Sequence, residues 1–479
     1  MTLNARPGFG EKVCFGFGDL ASVLYWQTFM AYLVFFYTDV FGITAIAAGT
    51  MIAVSRVLDG VIDPVVGMIA DRTQTRFGKF RPFLLWLCVP FAITGVLTFT
   101  TPGFGPSGKL IWAYSTYILL MVLYTAINIP YTAMLGVISP NSDDRTQISS
   151  IKFLFAFGAG TLVSATLLPM AKAFGGSNAA RGWQMSFVVY GIAATIFFLI
   201  TFFGTRERVT PPEGQKTSIG RDLKDLFTNK PWVILLCTTV TFILYIATRM
   251  SVTAHYFKYY VGHQHVNFGF YQAEWGFEGL VSAFNTLGQA CSIGGVLLVA
   301  LISRALGKKR AFIVLYVLSL IATAAFYFIK PGQVWLMFLL QGLGSAAGAP
   351  LSALIWAMYA DTADYSEWRN GRRATGLVFS ASTMSQKFGW AIGALAATEV
   401  MTLTGFVPNA KQTEESLHSL VLLVSLIPAG LGLLSLIPLS LYKLDEETML
   451  KISNDLADRR DQGAPTLASS QLASSPPMG

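Results

Sequence analysis

LIWAYSTYILLMVLYTAINIPYTAML, residues 110–135, contains no formally charged side chain. About 20 apolar residues in a helix suffice to cross the hydrocarbon core of a bilayer, so this run predicts a membrane-spanning helix rather than a buried helix of a water-soluble core. Similar runs extend on both sides of it. Read along the chain, they predict spans at 13–40, 44–71, 82–103, 109–138, 150–174, 183–204, 231–260, 276–303, 311–330, 333–360, 374–402 and 416–442. The composition agrees. Of 479 residues, 53% are hydrophobic and 13% charged, where a soluble domain carries roughly a quarter charged residues.

The net charge of +8 is explained by position. With the N-terminus placed inside, the loops and tails on that side hold 25 of the 34 Lys and Arg. The other face holds six (Lys109, Lys172, Arg181, Lys258, Lys330, Lys411), and three lie within spans. Basic loops stay cytoplasmic, so both termini are expected in the cytoplasm and the protein in the plasma (inner) membrane. This distribution argues against a nucleic-acid footprint. Cys14, Cys88, Cys237 and Cys291 stand singly in apolar runs, without metal or disulfide spacing. The first span is too long for a cleavable signal and is expected to remain in the protein.

RERVTPPEGQKTSIGRDLKDLFTNKP (206–231) divides the spans into two sets of six. The expected organisation is a six-helix bundle over 1–205, a cytoplasmic linker over 206–230 with a short amphipathic helix at DLKDLF, a second bundle over 231–445, and a disordered tail over 446–479. The halves read as distant copies: RFGKFRP (76–82) corresponds to RALGKKR (304–310), and IPYTAML (129–135) to APLSALI (349–355), an offset of about 220–230 residues. Duplicated bundles around a midplane site are a construction of secondary transporters, and a channel or membrane enzyme has no need of them.

Ionisable residues inside a span are costly and mark function. In MIAVSRVLDGVIDPVVGMIADR, Arg56, Asp59 and Asp63 fall at i, i+3 and i+7, within roughly 60° of one helix face. Two carboxylates a turn apart offer oxygen ligands to a small cation or share a proton, and Pro64 weakens the backbone ladder beside them. Lys387, in STMSQKFGWAIGALAA, is the expected counter-charge to Asp59 and Asp63. Displacement of the amine by a cation would couple binding to closure; the plainer alternative is a permanent ion pair that holds the halves together. Asp19 either faces a cavity or sits at a cytoplasmic helix end. Arg249 lies in mid-span with no partner evident from sequence. Thr125, Asn128 and Thr383 supply neutral polar groups suited to sugar hydroxyls or to interhelical bonds. Tyr25, Trp26, Tyr124, Trp356 and Trp390 are candidates to stack on a sugar ring or to pack. VGHQHVNFGFYQAEWGFE (261–278) reads as an outer lid or solvated turn rather than a metal site.

FFYTDVFGI (35–43), RVLDGVIDPVVGMIADRTQTRFGKFRP (56–82), NIPYTAM (128–134) and ADTADYSEWRNGRR (360–373) together resemble the glycoside–pentoside–hexuronide:cation symporter family, the melibiose-carrier branch of the major facilitator superfamily. The resemblance covers roughly residues 10–445. It implies an all-α membrane protein with the major facilitator fold, twelve transmembrane helices in two six-helix bundles. It further implies a cation site at Asp59, Asp63, Thr125 and Lys387, and sugar contacts at or near Asn128, Lys152, Trp356 and Thr383. A cytoplasmic gate would pair Asp361, Asp364, Glu367, Arg369, Arg372 and Arg373 with the loop bearing Arg72, Arg76 and Arg81. The chain departs from the melibiose carriers at Asn128 and Lys152, where they carry an aspartate and an arginine, and at Ile62, where they carry an asparagine. These departures point away from melibiose and leave Na⁺ and H⁺ both open as the coupling ion.

The expected activity is cation-coupled symport of a sugar or glycoside by alternating access, with no enzymatic step and no cofactor beyond the coupling cation. Besides the substrate sites named above, Asp19, Tyr25, Trp26, Tyr124 and Trp390 are candidates. The expected partners are the sugar and the lipid bilayer, with no nucleic acid and a monomer as the working assembly. The rivals are a carrier of a lipid or other amphipathic solute on the same scaffold and, more distantly, a membrane receptor or enzyme. For an enzyme, the sequence shows no metalloprotease motif, phosphate loop or nucleophile–base set.

Overall fold

The computed structural model describes residues 6–139, 142–208, 226–267, 272–370 and 375–463. The helices are α1 (Phe9–Ala31), α2 (Ala45–Arg72), α3 (Arg81–Thr98), α4 (Pro106–Ile138), α5 (Ser142–Gly175) and α6 (Ala179–Gly204), then α7 (Lys230–His255), α8 (Phe277–Leu306), α9 (Lys308–Ala324), α10 (Val334–Asn370) and α11 (Thr375–Leu403). Two collinear pieces, α12 (Glu414–Val424) and α13 (Leu426–Ser440), and a terminal α14 (Glu446–Gly463) complete the series. Among the described residues nine helices are long and apolar enough to cross a membrane, ten if α1 and its bent extension Leu33–Phe41 count as one span. The 28-residue α2 and 29-residue α11 have spanning length as well. The protein is an all-α membrane protein.

Packing repeats between the halves. In the first, α1 lies against α5 and α6, α4 against α2 and α3, and α3 against α6. In the second, α7 lies against α11 and α13, α10 against α8 and α9, and α9 against α13. Adding six to each helix number of the first set gives the second, with α12 and α13 as one broken helix. The halves meet along α2–α11, α5–α8 and α1–α7.

The repeat reaches to single turns. The extension of α1, bent by 65° from it, ends in a wide turn over Phe36–Phe41, and α7 ends in a wide turn over Tyr256–Val261. Each closes on a glycine whose N–H reaches back five residues: Gly42 to the Tyr37 carbonyl at 3.0 Å and Gly262 to the Phe257 carbonyl at 2.8 Å. Both glycines have positive φ, 84° and 68°, conformations that a side chain disfavours. The two turns lie together on the face away from the termini, called here the far face; the other is the terminal face.

One expectation needs correction. Residues 446–463, expected to be disordered, form α14, held by its amphipathic face on α10, with the Trp368 indole N–H donating to Asp455 Oδ2 at 2.8 Å. Residues 261–278 contain a two-stranded antiparallel hairpin, β1 (Gln264–Asn267) and β2 (Gln272–Trp275), in register Gln264 with Trp275. The rest of the tail and most of the 206–230 linker, including Asp222 to Asp225 of the expected linker helix, lie outside the described residues; Leu226–Thr228 are helical.

Candidate functional site

α2 continues through Pro64 and presents its three charges at the junction with α11. They take different partners. Lys387 Nζ on α11 pairs with Asp63 Oδ2, joining the two halves, and Thr125 on α4 donates to Asp63 Oδ1 at 3.3 Å. Asp59, expected to share Lys387, is held within its own helix: Arg56 Nη1 donates to its Oδ2 at 3.1 Å, and both residues are 1% exposed. The three-residue spacing satisfies Asp59 locally, whereas Asp63, one turn further on, reaches across. The Arg56 guanidinium lies 5.0 Å over the Trp26 ring, which stacks on Tyr124 at 5.6 Å. The remaining Asp59 oxygen and the Arg56 Nε and Nη2 are buried without hydrogen-bond partners. This unsatisfied edge borders the paired Asp63.

The candidate sugar residues divide into groups. Asp19 and Lys152 form an ion pair at 3.7 Å, with the amine 5.4 Å over the Tyr131 ring. Asn128 Nδ2 donates to the Tyr124 carbonyl of its own helix at 2.9 Å. Trp390 borders a small void beside Arg56, Trp356 packs near Tyr359 at 5.9 Å, and Thr383 is exposed on α11 one turn before Lys387. Tyr25 is corrected: it is 0% exposed, 4.3 Å from Phe91 and against Phe187, so its ring packs the first bundle.

Among the predicted gate charges at the terminal face, Arg81 and Asp361 have contacts on their own side. Arg81 Nε donates to the Phe202 carbonyl at 3.1 Å, while the backbone N–H groups of Lys79, Phe80 and Arg81 converge on Glu207 at 2.8–2.9 Å. Asp361 pairs with Lys308 at 2.7 Å. These contacts lie within one half, because each loop closes on the helix ends beside it in its own bundle. Arg76 lies over the Phe77 ring, Arg72 is exposed, and Asp364, Glu367 and Arg369 follow Asp361 along α10, Arg369 donating to the Tyr365 hydroxyl at 3.3 Å. Arg372 and Arg373 lie outside the described residues.

Two features went unforeseen. On the far face Asp39 of the first wide turn accepts from Lys258 Nζ at 2.7 Å and from the Tyr259 hydroxyl, and stands 3.2 Å from His255 Nε2. Asn409, before α12, donates to the Asp39 carbonyl at 2.7 Å. The second feature is a cavity of about 200 Å³, partly open to solvent, where Gln27 of α1 meets α7, α8 and α10. Its signal was present in sequence: Asn285, Gln289 and Ser292 recur at i, i+4 and i+7, and Gln341 and Ser345 at i and i+4, in otherwise apolar helices.

The sequence pattern of the family described as MFS/sugar transport protein matches residues 14–446. The chain is 34% identical over 447 residues to the isoprimeverose transporter of Lactiplantibacillus pentosus, covering 91% of this chain and 89% of that one. It is 33% identical over 451 residues to the inner membrane symporter YicJ of Escherichia coli (strain K12), covering 93% and 94%. In fold it is similar to a bacterial homolog of the human lysosomal transporter Spinster in an inward-facing, occupied conformation, with a TM-score of 0.63 at 12% identity over 90% and 96% of the chains. The repeated helix packing and the match over nearly all the helical chain agree: this protein belongs to the MFS/sugar transport protein family.

Proposed function

We propose that the protein is an integral membrane symporter that moves a sugar or glycoside together with Na⁺ or H⁺, and that it is a carrier, not an enzyme. Counting α2 and α11 among the spans gives twelve, in bundles over 1–205 and 231–445 joined by the 206–230 linker, with both termini cytoplasmic and the far face outside the inner membrane. The observation that carries the coupling is the Lys387–Asp63 pair, a charge from each half meeting beside the Thr125 hydroxyl.

In a low-dielectric site a carboxylate is satisfied by an amine, a metal cation or a proton, and these compete. A sodium ion coordinated by Asp63, Thr125 and the free oxygen of Asp59, or a proton on Asp63, weakens the hold on Lys387. The tie between halves thus becomes dependent on the cation. Sugar bound between the bundles, within reach of the groups around Asp19, Asn128 and Lys152, favours closure around the same region. If both ligands favour one closed state, each raises the other's affinity by the same factor. The relatives named as a symporter and as an isoprimeverose transporter support the class of activity.

The test is uptake of labelled isoprimeverose and simple glycosides into proteoliposomes under imposed gradients. Concentrative uptake driven by a sodium gradient identifies Na⁺ as the ion, and uptake driven by a proton gradient alone identifies H⁺. Equilibration at the same rate with neither gradient adding to it would overturn symport.

A further inference from the structure

Arg249 sits in mid-helix on α7 and lines the cavity that α7 forms with α8, α10 and Gln27 of α1. Its Nε donates to the Val424 carbonyl at 3.3 Å, a group freed by the break between α12 and α13, where Ser425 leaves helical geometry. The guanidinium carbon lies 4.8 Å from the Phe326 ring and 5.9 Å from the Phe284 ring. Among the described residues it makes no ion pair, and its two terminal nitrogens make no hydrogen bond. Three other basic residues within the spans each have an acid: Arg56 has Asp59, Lys152 has Asp19 and Lys387 has Asp63. The internal repeat sets Phe29 at the place of Arg249, 220 residues earlier, the same offset that relates Gly42 to Gly262. Phe29 packs on Tyr117 at 5.8 Å. An apolar ring fills this place in one bundle, so the charge is a feature of the other bundle alone.

A guanidinium in mid-membrane is costly unless an opposite charge lies beside it. Two rings and one carbonyl ease that cost but bring no negative charge. The cavity, about 200 Å³, has room for a small ion with part of its water shell. No acid lines it, while Asn285, Gln289, Ser292 and Ser345 add neutral donors to those of Arg249. A second observation points to a ligand. Gln341 lines the same cavity, is 9% exposed, and its side-chain oxygen is buried without a partner, which leaves an acceptor for water carried by the ion. One positive charge among neutral donors balances a monovalent anion. A divalent anion would leave a net negative charge buried there.

We propose that this cavity binds a small monovalent inorganic anion of the size and charge of chloride, with the terminal N–H groups of Arg249 as its principal donors. The anion is a resident counter-ion: it neutralises Arg249 and so steadies the tie from α7 to the break between α12 and α13. The inference goes beyond the sugar-carrier reading and does not depend on it, since this ion is neither the solute nor the coupling cation. The site lies on the α7–α8–α10 side of the interface, apart from Asp63 and Lys387 on α2 and α11. An anion that binds the folded protein and not the unfolded chain raises the melting temperature, and the rise must vanish with its donor.

The experiment uses the full-length protein in nanodiscs, without sugar or gradient, at fixed sodium concentration and ionic strength while chloride replaces gluconate. Equilibrium binding of radioactive chloride should saturate at about one ion per protein, and the melting temperature should rise over the same concentration range. Sulfate should compete at least tenfold more weakly than unlabelled chloride. Arg249→Gln should lose the binding and the melting shift together. Absence of saturable chloride binding, binding that survives in Arg249→Gln, or sulfate competing as well as chloride each overturns the proposal. Should the Gln variant fail to fold, anomalous scattering from bromide in crystals of the unmodified protein decides. Bromide in contact with the Arg249 guanidinium supports the site, and bromide bound only elsewhere overturns it. Because no sugar or gradient is present, loss of coupled uptake leaves this result standing, and intact coupling cannot rescue it.

Discussion

On the far face Asp39 of the first half is held by Lys258 and Tyr259 of the second, and Asn409 closes over its carbonyl. On the terminal face Arg81 is held by the carbonyl of Phe202, and Lys309 by the carbonyls of Ser440 and Tyr442 at 3.1 and 2.6 Å, each at the end of its own half. Both arrangements use positions equivalent by the internal repeat: Asp39 and Tyr259 are 220 residues apart, Arg81 and Lys309 are 228 apart. Repeat-equivalent residues therefore do opposite work according to depth. At the far face they grip one another across the interface and form a barrier. At the terminal face they fasten the base of each bundle to itself, which keeps the bundle rigid when the halves part. A carrier that exposes one side at a time needs both kinds of contact, and this distribution belongs to a state closed at the far face.

The largest effect is expected between the two faces, at Asp63. Asp63→Asn removes the charge that Lys387 and a cation would contest, and gradient-driven uptake should fall at least 100-fold. If uptake persists with unchanged ion dependence, the pair is only a staple between bundles. The far-face lock should respond differently. Removing one member of a buried charge cluster costs about 3–5 kcal/mol, enough to shift a two-state equilibrium by roughly 10²-fold or more. Asp39→Ala should therefore raise at least tenfold the rate at which an impermeant thiol reagent, added from the far side, modifies a cysteine placed at Ser292 on a background lacking Cys291. No change in labelling would mean that the lock is not the barrier.

The contrast also shows what could be read from sequence. The spans were legible because uninterrupted apolar runs admit few other structures, and the acids of α2 because charge is rare in lipid. Of the two acids expected at Lys387, Asp63 takes the direct bond and Asp59 bonds Arg56, because helical spacing puts Arg56 in reach of Asp59 as surely as the fold brings Lys387 to Asp63, and only the crossing of α2 and α11 decides between them. Tyr25 was misplaced because an aromatic at helical spacing has the same signature in a cavity and in a core. The lock at Asp39 was missed although FFYTDVFG (35–42) and HYFKYYVG (255–262) stand at the repeat offset: what one turn does to its copy depends on the symmetry of the folded halves.

The terminal-face ties should give a smaller and separable change. Arg81→Ala and Lys309→Ala each leave helix-end carbonyls without their charged donor, a loss of about 1–3 kcal/mol. Each should lower the melting temperature in detergent by a few degrees while leaving far-side labelling at Ser292 unaltered. Labelling that rises as it does in Asp39→Ala would erase the distinction between bundle-internal and cross-bundle contacts.

The smallest effect concerns the terminal end of the first bundle, where Lys12 Nζ bonds Asp144 Oδ1 at 2.7 Å and Gln147 Oε1 at 2.7 Å. The hydrogen bond from Lys12 holds the Asp144 carboxyl below its usual range. A depressed acid binds its proton more weakly in the folded protein than in the unfolded chain, so its contribution is present above the ordinary carboxylate range and is lost as pH falls through the folded value. Wild type should therefore melt slightly higher than Asp144→Asn at pH 7, and the gap should close below about pH 4. A gap that stays constant down to pH 3 would show that Asp144 acts there through shape and neutral hydrogen bonding. The ionic part of the clasp between α1 and α5 would then be refuted, while the division between the two faces would stand on Asp39, Arg81 and Lys309.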